Sequence, residues 1–167
     1  MRRALLSILA LTLSGCAGYE LGPTNGIPAG SRSVRIQPFV NRTHEPRVTE
    51  YVAISMRKLL QQDGTFRLET SGSPDIMVSG EITGFRRTGL SYQTNDVLTP
   101  QEYTLTLVAR VMAVDVNSGK TNFNREVSGL TYILVGNDQS SAERQAIPLL
   151  ADSLARSAIS LLVDGAW

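Results

Sequence analysis

The sequence predicts an α+β fold: a two-layer sandwich with two helices packed on one face of a mixed four- to five-stranded sheet, in β-α-β-β-β-α order. Two helical patterns, in residues 48–60 and 147–162, each carry one apolar stripe. Several other segments alternate apolar and polar residues, as strands buried on one face do. Both features are satisfied when the two helices cover the same face of one sheet.

The first predicted strand covers residues 33–40. Val34 and Ile36 fall on one face of it. Pro38 indicates an edge position or a strand end, because proline has no N–H to donate to a neighbouring strand. Residues 41–46 follow as a predicted turn, which separates this strand from the first helix.

The first helix is predicted over residues 47–63. Gly64 follows it as the predicted C-terminal cap, because glycine readily adopts the left-handed conformation that ends many helices. Residues 66–70 alternate again, so the segment is predicted as a strand–helix–strand unit. The apolar stripe of the helix comprises Val48, Val52, Met56, Leu59 and Leu60.

A longer strand is predicted from Pro74 onward, with one apolar face and one polar face. Its apolar face comprises Ile76, Val78 and Ile82. Its glycines predict bulges or close backbone contacts, because they lack a side chain to pack; they are Gly80, Gly84 and Gly89. Residues 91–101 are predicted to form a polar connection to the next strand.

The next two strands form a predicted hairpin. All odd positions from 103 to 113 are apolar, which predicts a strand over residues 103–116. Residues 117–120, Asn-Ser-Gly-Lys, are typical of a hairpin turn. The returning antiparallel strand runs from residue 121 to about residue 131.

The chain closes with a second helix. Ser140 and Glu143 have the spacing of a capping box. Pro148 lies inside the helical pattern and is expected to kink the helix or to mark a later start. The apolar stripe comprises Ile147, Leu150, Leu154, Ala158, Leu161 and Leu162.

The only cysteine, Cys16, follows a three-part N-terminal pattern. Arg2 and Arg3 precede ten uncharged residues at 4–13, eight of them apolar. This layout is typical of a secretory signal, and ten residues are too few to span a bilayer, which takes about 20. The alternative, a short buried helix, is not favoured by two arginines in front and Gly-Cys behind.

The segment Leu13-Ser14-Gly15-Cys16 resembles the lipobox of bacterial lipoproteins, in which the cysteine thiol takes up diacylglycerol and becomes the new N-terminus. The alternative is a free thiol, a reactive liability in an exported chain. Because Ala17 rather than aspartate follows, the resemblance implies the outer membrane. We therefore predict a lipoprotein signal peptide at 1–15, a lipidated N-terminus and flexible tether at 16–32, and a single α/β sandwich domain at 33–167.

Charge and cysteine content restrict the possible partners. The chain has 16 basic and 15 acidic side chains, and removal of residues 1–15 takes away Arg2 and Arg3, which leaves 14 and 15. A net side-chain charge of −1 gives no electrostatic basis for binding nucleic acid. The mature chain has no second cysteine for a disulfide, so packing alone is expected to hold the domain.

No catalytic residues, metal ligands or cofactor motif can be assigned from the sequence. The only histidine, His44, lies in a Pro-flanked turn and has no second imidazole or available thiolate to complete a metal site. No phosphate-binding glycine loop or nucleophile elbow occurs. A paired-carboxylate site remains open, because several carboxylates lie in or beside strands: Asp75, Glu81, Glu102, Asp115 and Glu126.

Five basic residues around two neighbouring strands are candidate contacts for phosphates on a lipid or glycolipid: Arg86, Arg87, Arg110, Lys120 and Arg125. Guanidinium groups bind phosphate oxygens in pairs, which favours this interpretation. The alternative is solvated strand ends. Alternation places Arg86 and Arg110 on one face of their strands and Arg87 on the other, so the five cannot form one patch.

Short motifs occur in the same order as in a known family. After Cys16 come Gly18-Tyr19-x-Leu21, Val40-Asn41-Arg42-Thr43-x-x-Pro46, Pro74-Asp75-x-x-Val78-x-Gly80-x-Ile82, Leu90-Ser91-Tyr92, Glu102-Tyr103-x-Leu105, Asp115-x-x-Ser118-Gly119-Lys120 and Gly165-Ala166-Trp167. In these motifs the chain resembles LptE-type lipopolysaccharide-assembly lipoproteins. The segment at residues 131–139 shows no pattern of that family.

The resemblance implies a two-helix, one-sheet sandwich without catalytic activity. It also implies an outer-membrane lipoprotein that faces the periplasm and partners an LptD-like β-barrel as a plug, helping lipopolysaccharide reach the outer leaflet. Polar side chains suit a wet barrel lumen; candidates are Thr104, Thr106, Asn122, Asn124 and residues 93–95. The alternatives are an auxiliary lipoprotein of another envelope export system and a small envelope enzyme.

Overall fold

The structure, a computed structural model, describes residues 28–93, 96–135 and 138–165. Within these residues, six strands and two helices follow one another in the order β-β-α-β-β-β-β-α. The helices are α1 (Val48–Asp63) and α2 (Gln139–Asp164). The strands are β1 (Ser33–Ile36), β2 (Val40–Asn41), β3 (Arg67–Leu68), β4 (Ile76–Gln93), β5 (Asp96–Asp115) and β6 (Thr121–Leu134).

The strands form one mixed, open sheet in the order β3-β1-β4-β5-β6. β1 runs parallel to β3 and β4, and β2 pairs with β4 in parallel just beyond β1. β4, β5 and β6 are antiparallel neighbours. Because the two helices pack on each other and on this sheet, the predicted α+β sandwich is confirmed.

One hydrophobic core joins the helices to the sheet. It includes Met56 of α1, Ile76 of β4, Leu107 of β5 and Leu154 of α2, all fully buried. Helix α2 lies very close to β6 at Gly129, where a methyl group would come within 2.7 Å of Cα of Leu154. Glycine at this position therefore allows the helix backbone to rest on the strand.

The first predicted strand is divided in two. β1 ends at Ile36, and the chain leaves the sheet before pairing again as β2. Phe39, between them, folds over Gly80 of β4, where a methyl group would lie 2.6 Å from its ring carbon Cζ. The strand end indicated by Pro38 is confirmed, and burial of Phe39 in the core explains the break.

The prediction of a polar connection at residues 91–101 is wrong. β4 continues to Gln93 and β5 begins at Asp96, so the two strands form one long hairpin; Thr94 and Asn95 lie outside the described residues. Cross-strand pairing holds this polar segment extended: the Ser91 hydroxyl donates to the Glu102 carboxylate at 2.9 Å. The strand forms because a partner strand is present, which local composition does not reveal.

The first helix matches its prediction at both ends. It starts at Val48, one residue after Arg47, and Gly64 ends it in the left-handed conformation with its N–H donating to the Leu60 carbonyl at 3.3 Å. Leu59 is only half-buried, at the margin of the core.

The second helix starts differently from its prediction. Its N-cap is Asp138, whose carboxylate accepts the Ser141 N–H at 3.3 Å, so the predicted Ser140–Glu143 capping box is wrong. Pro148 lies inside a helix that has already begun. Helix α2 is long and apolar enough to cross a membrane, yet more than half of that apolar stretch is buried in this fold, as expected of a core helix.

The predicted signal peptide, Cys16 and most of the tether lie outside the described residues. The end of the tether is bound to the domain: Arg32 pairs with Asp115, and the N–H of Gly30 donates to the Thr65 carbonyl at 3.0 Å. Of the segment at 131–139, residues 131–134 belong to β6, and residues 136 and 137 are not described.

Candidate ligand-binding surfaces

The face of the sheet opposite the helices, here called the open face, carries many polar residues of β4, β5 and β6. A register shift between Ile82 and Gly84 in β4 determines which residues reach it. Before the shift, Glu81 lies opposite Arg110; after it, Arg86 lies opposite Thr106. The bulge reverses the alternation: odd-numbered side chains of β4 lie on the open face before it, and even-numbered side chains lie there after it.

A row of alternating charges crosses the open face. Arg110 lies opposite Glu81 on β4 and opposite Glu126 on β6. Glu81 forms its ion pair with Arg42, which follows β2. Opposite charges on facing positions of neighbouring strands attract each other, so the charge of Arg110 is balanced on both sides.

Arg86 has a different setting on the same face. It is exposed, and among the described residues it has no ion pair or hydrogen bond. The register joins it to Thr106 on β5 and then to Leu130 on β6. The next line joins Thr88 to Thr104 and Tyr132.

Three large apolar side chains stand exposed along the edge strand β6. Leu130, Tyr132 and Leu134 are 50%, 63% and 65% exposed. Sequence reasoning missed this row because it ended the strand at residue 131. The signal was available: even positions of β6 change from polar residues at 124–128 to apolar residues at 130–134. Together with Arg86 and Thr106, the row gives the open face a cation, hydroxyl groups and an apolar edge.

The other three predicted contacts lie elsewhere. Arg87 points to the helix side, where its guanidinium pairs with Glu143 of α2 at 3.0 Å and lies 5.4 Å from the centre of the Phe85 ring. Arg125 faces Val111 on the helix side of the sheet. Lys120 lies in the turn between β5 and β6, at the end of the sheet opposite the tip of the long hairpin. The predicted separation of Arg87 from Arg86 and Arg110 agrees with this register.

A groove of about 560 Å³ lies between the turn after β2 and the part of β4 beyond the bulge. We call this groove the basic groove. Its turn is held by the side chain of Asn41, whose Oδ1 accepts the Thr43 N–H at 2.9 Å and whose Nδ2 donates to the Glu45 carbonyl at 2.9 Å. The groove is lined by Arg42, Thr43, His44, Glu45, Thr83, Gly84, Phe85, Arg86 and Arg87.

The pKa of Glu45, the acidic residue that lines the basic groove, lies above its ordinary value. Partial burial raises its pKa, the negative charge of Glu143 raises it further, and the positive charge of Arg87 partly offsets both.

The carboxylates Asp75 and Asp115 meet at the other end of the sheet, where β4 begins and β5 ends. Asp75 accepts the N–H and hydroxyl of Ser33 at 2.7 and 2.8 Å, and Asp115 accepts those of Ser118 at 2.9 Å each. These hydrogen bonds are the main reason why the pKa of each carboxyl group lies below its ordinary value. A general acid at neutral pH needs a raised pKa instead, so this pair is suited to holding the strands together.

The remaining carboxylates do not converge either. Glu81 pairs with Arg42, and Glu102 accepts from Ser91. Over the described ranges, no cluster of three or more His, Cys, Asp or Glu residues could hold a metal ion. His44 lines the basic groove in an exposed position.

Residues 31–162 match the family model LptE, described as lipopolysaccharide-assembly. No curated protein matches the chain. Solved structures resemble it at low identity. A protein of Xanthomonas campestris has a TM-score of 0.57 at 10% identity, with 87% of this chain and 92% of that chain covered. A hypothetical protein of Chlamydia trachomatis gives 0.54 at 13%, covering 78% and 95%. A minor lipoprotein of Acinetobacter baumannii gives 0.52 at 10%, covering 80% and 93%. At these identities the likeness shows the fold alone.

Proposed function

Because the chain belongs to the LptE family of lipopolysaccharide-assembly proteins, we propose that it is an outer-membrane lipoprotein that acts with an LptD-like β-barrel. In this proposal Cys16 carries the lipid, residues 1–15 are the cleaved signal peptide, and residues 16–32 tether the domain on the periplasmic side. Three acyl chains would exceed the two-signal requirement for stable anchoring.

The open face supports a role as a barrel partner. Its threonines and balanced charges can stay hydrated inside a barrel lumen, and its exposed Tyr132 and Leu134 can pack against a partner's side chains. We propose no catalytic role for this surface.

For the contact with lipopolysaccharide, we propose Arg86 as the main cation. The observation that carries this proposal is the line Arg86–Thr106–Leu130 across three strands. A phosphorylated glycolipid combines anionic groups, hydroxyls and acyl chains, and this line presents a partner for each. Arg110 lies four residues along β5 from Thr106, about 14 Å at 3.4 Å per residue, so it could meet a second anionic group of a large headgroup.

Lipopolysaccharide binding by purified variants tests this assignment. An exposed ion pair contributes about 1 kcal/mol or less, so we expect Arg86→Ala to weaken binding by up to about fivefold. Arg110→Ala should have a smaller effect because the acidic residues Glu81 and Glu126 occupy the facing positions on both neighbouring strands, and the double variant should bind more weakly than either. The matched control is Lys120→Ala with Arg125→Ala, which removes the same charge elsewhere. If the double variant of Arg86 and Arg110 binds lipopolysaccharide as tightly as the wild type, the proposed glycolipid contact is refuted, while the proposed barrel partnership is unaffected.

Co-purification tests the partnership itself. Membranes containing the full chain are dissolved in mild detergent and the chain is captured by a tag; we expect a large outer-membrane β-barrel to accompany it. Capture of a different export complex would support an auxiliary lipoprotein of another system. Absence of any barrel would refute the proposed partnership.

The mass of the purified mature chain tests the anchor. We expect an N-terminus at Cys16 with added diacyl or triacyl mass, and Cys16→Ser should retain the signal peptide and lose the lipid. A mature chain that begins elsewhere, or that carries no lipid, would contradict the assignment.

A further inference from the structure

The long strand β4 has an open edge from Thr83 onward. Up to Ile82 it has β5 on one side and β1 or β2 on the other; the last hydrogen bond on that second side runs from the Arg42 N–H to the Ile82 carbonyl at 2.9 Å. Beyond that point, and within the residues that the structure describes, only β5 pairs with β4. An open edge of this length can accept another strand.

The register identifies the backbone groups on this edge. The backbone carbonyl of Ile82 points to the β2 side, and the bulge reverses the alternation after it. The backbone N–H and C=O groups of Gly84 and Arg86 therefore point to β5. The backbone N–H and C=O groups of Phe85, Arg87 and Gly89 point to the open edge of β4 instead.

The turn held by Asn41 keeps this edge open. Its hydrogen bonds to Thr43 and Glu45 turn the chain away from β4 directly after β2. The basic groove lies between that turn and residues 83–87 of β4. An extended chain entering the groove would continue the path of β2 along β4.

The charges of the groove indicate the chemistry of the occupant. Arg42 and Arg87 each have one ion-pair partner, whereas Arg86 has none in the described part of the chain. A second copy paired over the groove would set Arg86 and Arg87 against the same two cations, which is unfavourable. Carboxylate side chains on the incoming strand would meet complementary charge instead.

We propose that the basic groove and the open edge of β4 bind an extended acidic segment of another protein by β-strand addition. Main-chain hydrogen bonds to Phe85, Arg87 and Gly89 hold the segment, and its carboxylates lie near Arg86 and Arg42. This interaction does not depend on glycolipid binding or on a barrel partner.

The test uses the purified domain and a synthetic octapeptide of alternating threonine and glutamate. We expect saturable binding, at least about tenfold weaker for the threonine–lysine analogue, and amide exchange of Phe85 and Arg87 slowed at least about tenfold by the acidic peptide. Two further peptides carry backbone N-methyl groups on the threonines only or on the glutamates only. One of them should fail to bind and the other should bind normally, since only one edge of an added strand meets β4.

Charge variants complete the test. Arg86→Glu should weaken binding by about tenfold or more, while Lys58→Glu, the same reversal on an exposed position of α1, should leave it within about twofold. Four results would overturn the proposal: no peptide binding up to about 1 mM, binding without protection of the two amides, protection by lipopolysaccharide micelles but not by peptide, or protection that requires a second copy of the chain.

Discussion

The two halves of the long hairpin have the same strands and different surroundings. In the base, residues 76–82 of β4 have a strand on each side and helices above one face. In the tip, residues 84–93 pair with β5 alone, and Leu90 and Tyr92 are more than half exposed. Stability is therefore concentrated in the base, and groups available for binding are concentrated in the tip. Substitutions should separate these two roles.

The largest loss of stability is expected from the core between the helices and the sheet. Leu154 is fully buried between α2 and the sheet, so Leu154→Ala should lower the free energy of unfolding by about 2–5 kcal/mol. Leu59→Ala should cost less, because Leu59 is only half-buried, and Gln61→Ala should have no measurable effect. Urea unfolding of the three variants measures this order. Equal midpoints would contradict the assigned helix faces.

A smaller but specific loss is expected where α2 rests on β6. In Gly129→Ala the new methyl group meets backbone atoms of Leu154 and the Leu150 carbonyl, which cannot move independently of the helix. Overpacking of this kind costs about 1–3 kcal/mol. Gly119→Ala is not a suitable control, because Gly119 has positive φ; Ser128→Ala on the exposed face of the same strand is. If Gly129→Ala melts like wild type, the close contact of helix and strand is wrong.

Acid should weaken the end of the base that Asp75 and Asp115 hold. Each folded-state pKa lies below the ordinary value of 3.8, so the unfolded chain binds protons more readily. Their stabilising contribution is complete above that value and is lost as the pH falls through the lower folded-state pKa. Asp75→Asn should flatten the fall in stability below about pH 4 relative to wild type, while the exposed Glu126→Gln should not. An unchanged slope in Asp75→Asn would exclude this mechanism.

The smallest effect is expected where the tip meets the base. The Arg87–Glu143 ion pair is half exposed on the arginine side, so breaking it with Arg87→Ala should cost less than about 1 kcal/mol. A double-mutant cycle with Glu143→Gln, followed by thermal unfolding, isolates the pair from the packing of Arg87 on Phe85. A coupling well above that value would mean that the tip contributes to the stability of the base.

The same division explains what the sequence could predict. In the base, helix stripes and odd-numbered apolar residues such as Ala109 and Val111 are set by burial, and the fold class follows from them. In the tip, Ser91 and Gln101 are polar and become strand only through their partner strand. Asp138 was missed as the N-cap because Ser140 and Glu143 matched a capping box, while Glu143 in the fold pairs with Arg87 from a distant part of the chain. The placement of Arg86 and Leu130 on either side of Thr106 depends on register, which no local pattern contains.

The bulge at Thr83 also determines which changes in length the hairpin can tolerate. Because Ile82 pairs with Ala109 and Gly84 with Val108, which are neighbours on β5, deletion of Thr83 would leave a regular ladder and keep Arg86 on the open face and Arg87 on the helix side. Paired deletions, one residue from each strand near the turn, would shorten the tip without exchanging its faces. The bulge can therefore absorb the loss of one residue from β4, whereas a further insertion or deletion that is not matched in β5 or held in a new bulge would exchange the two faces of the tip.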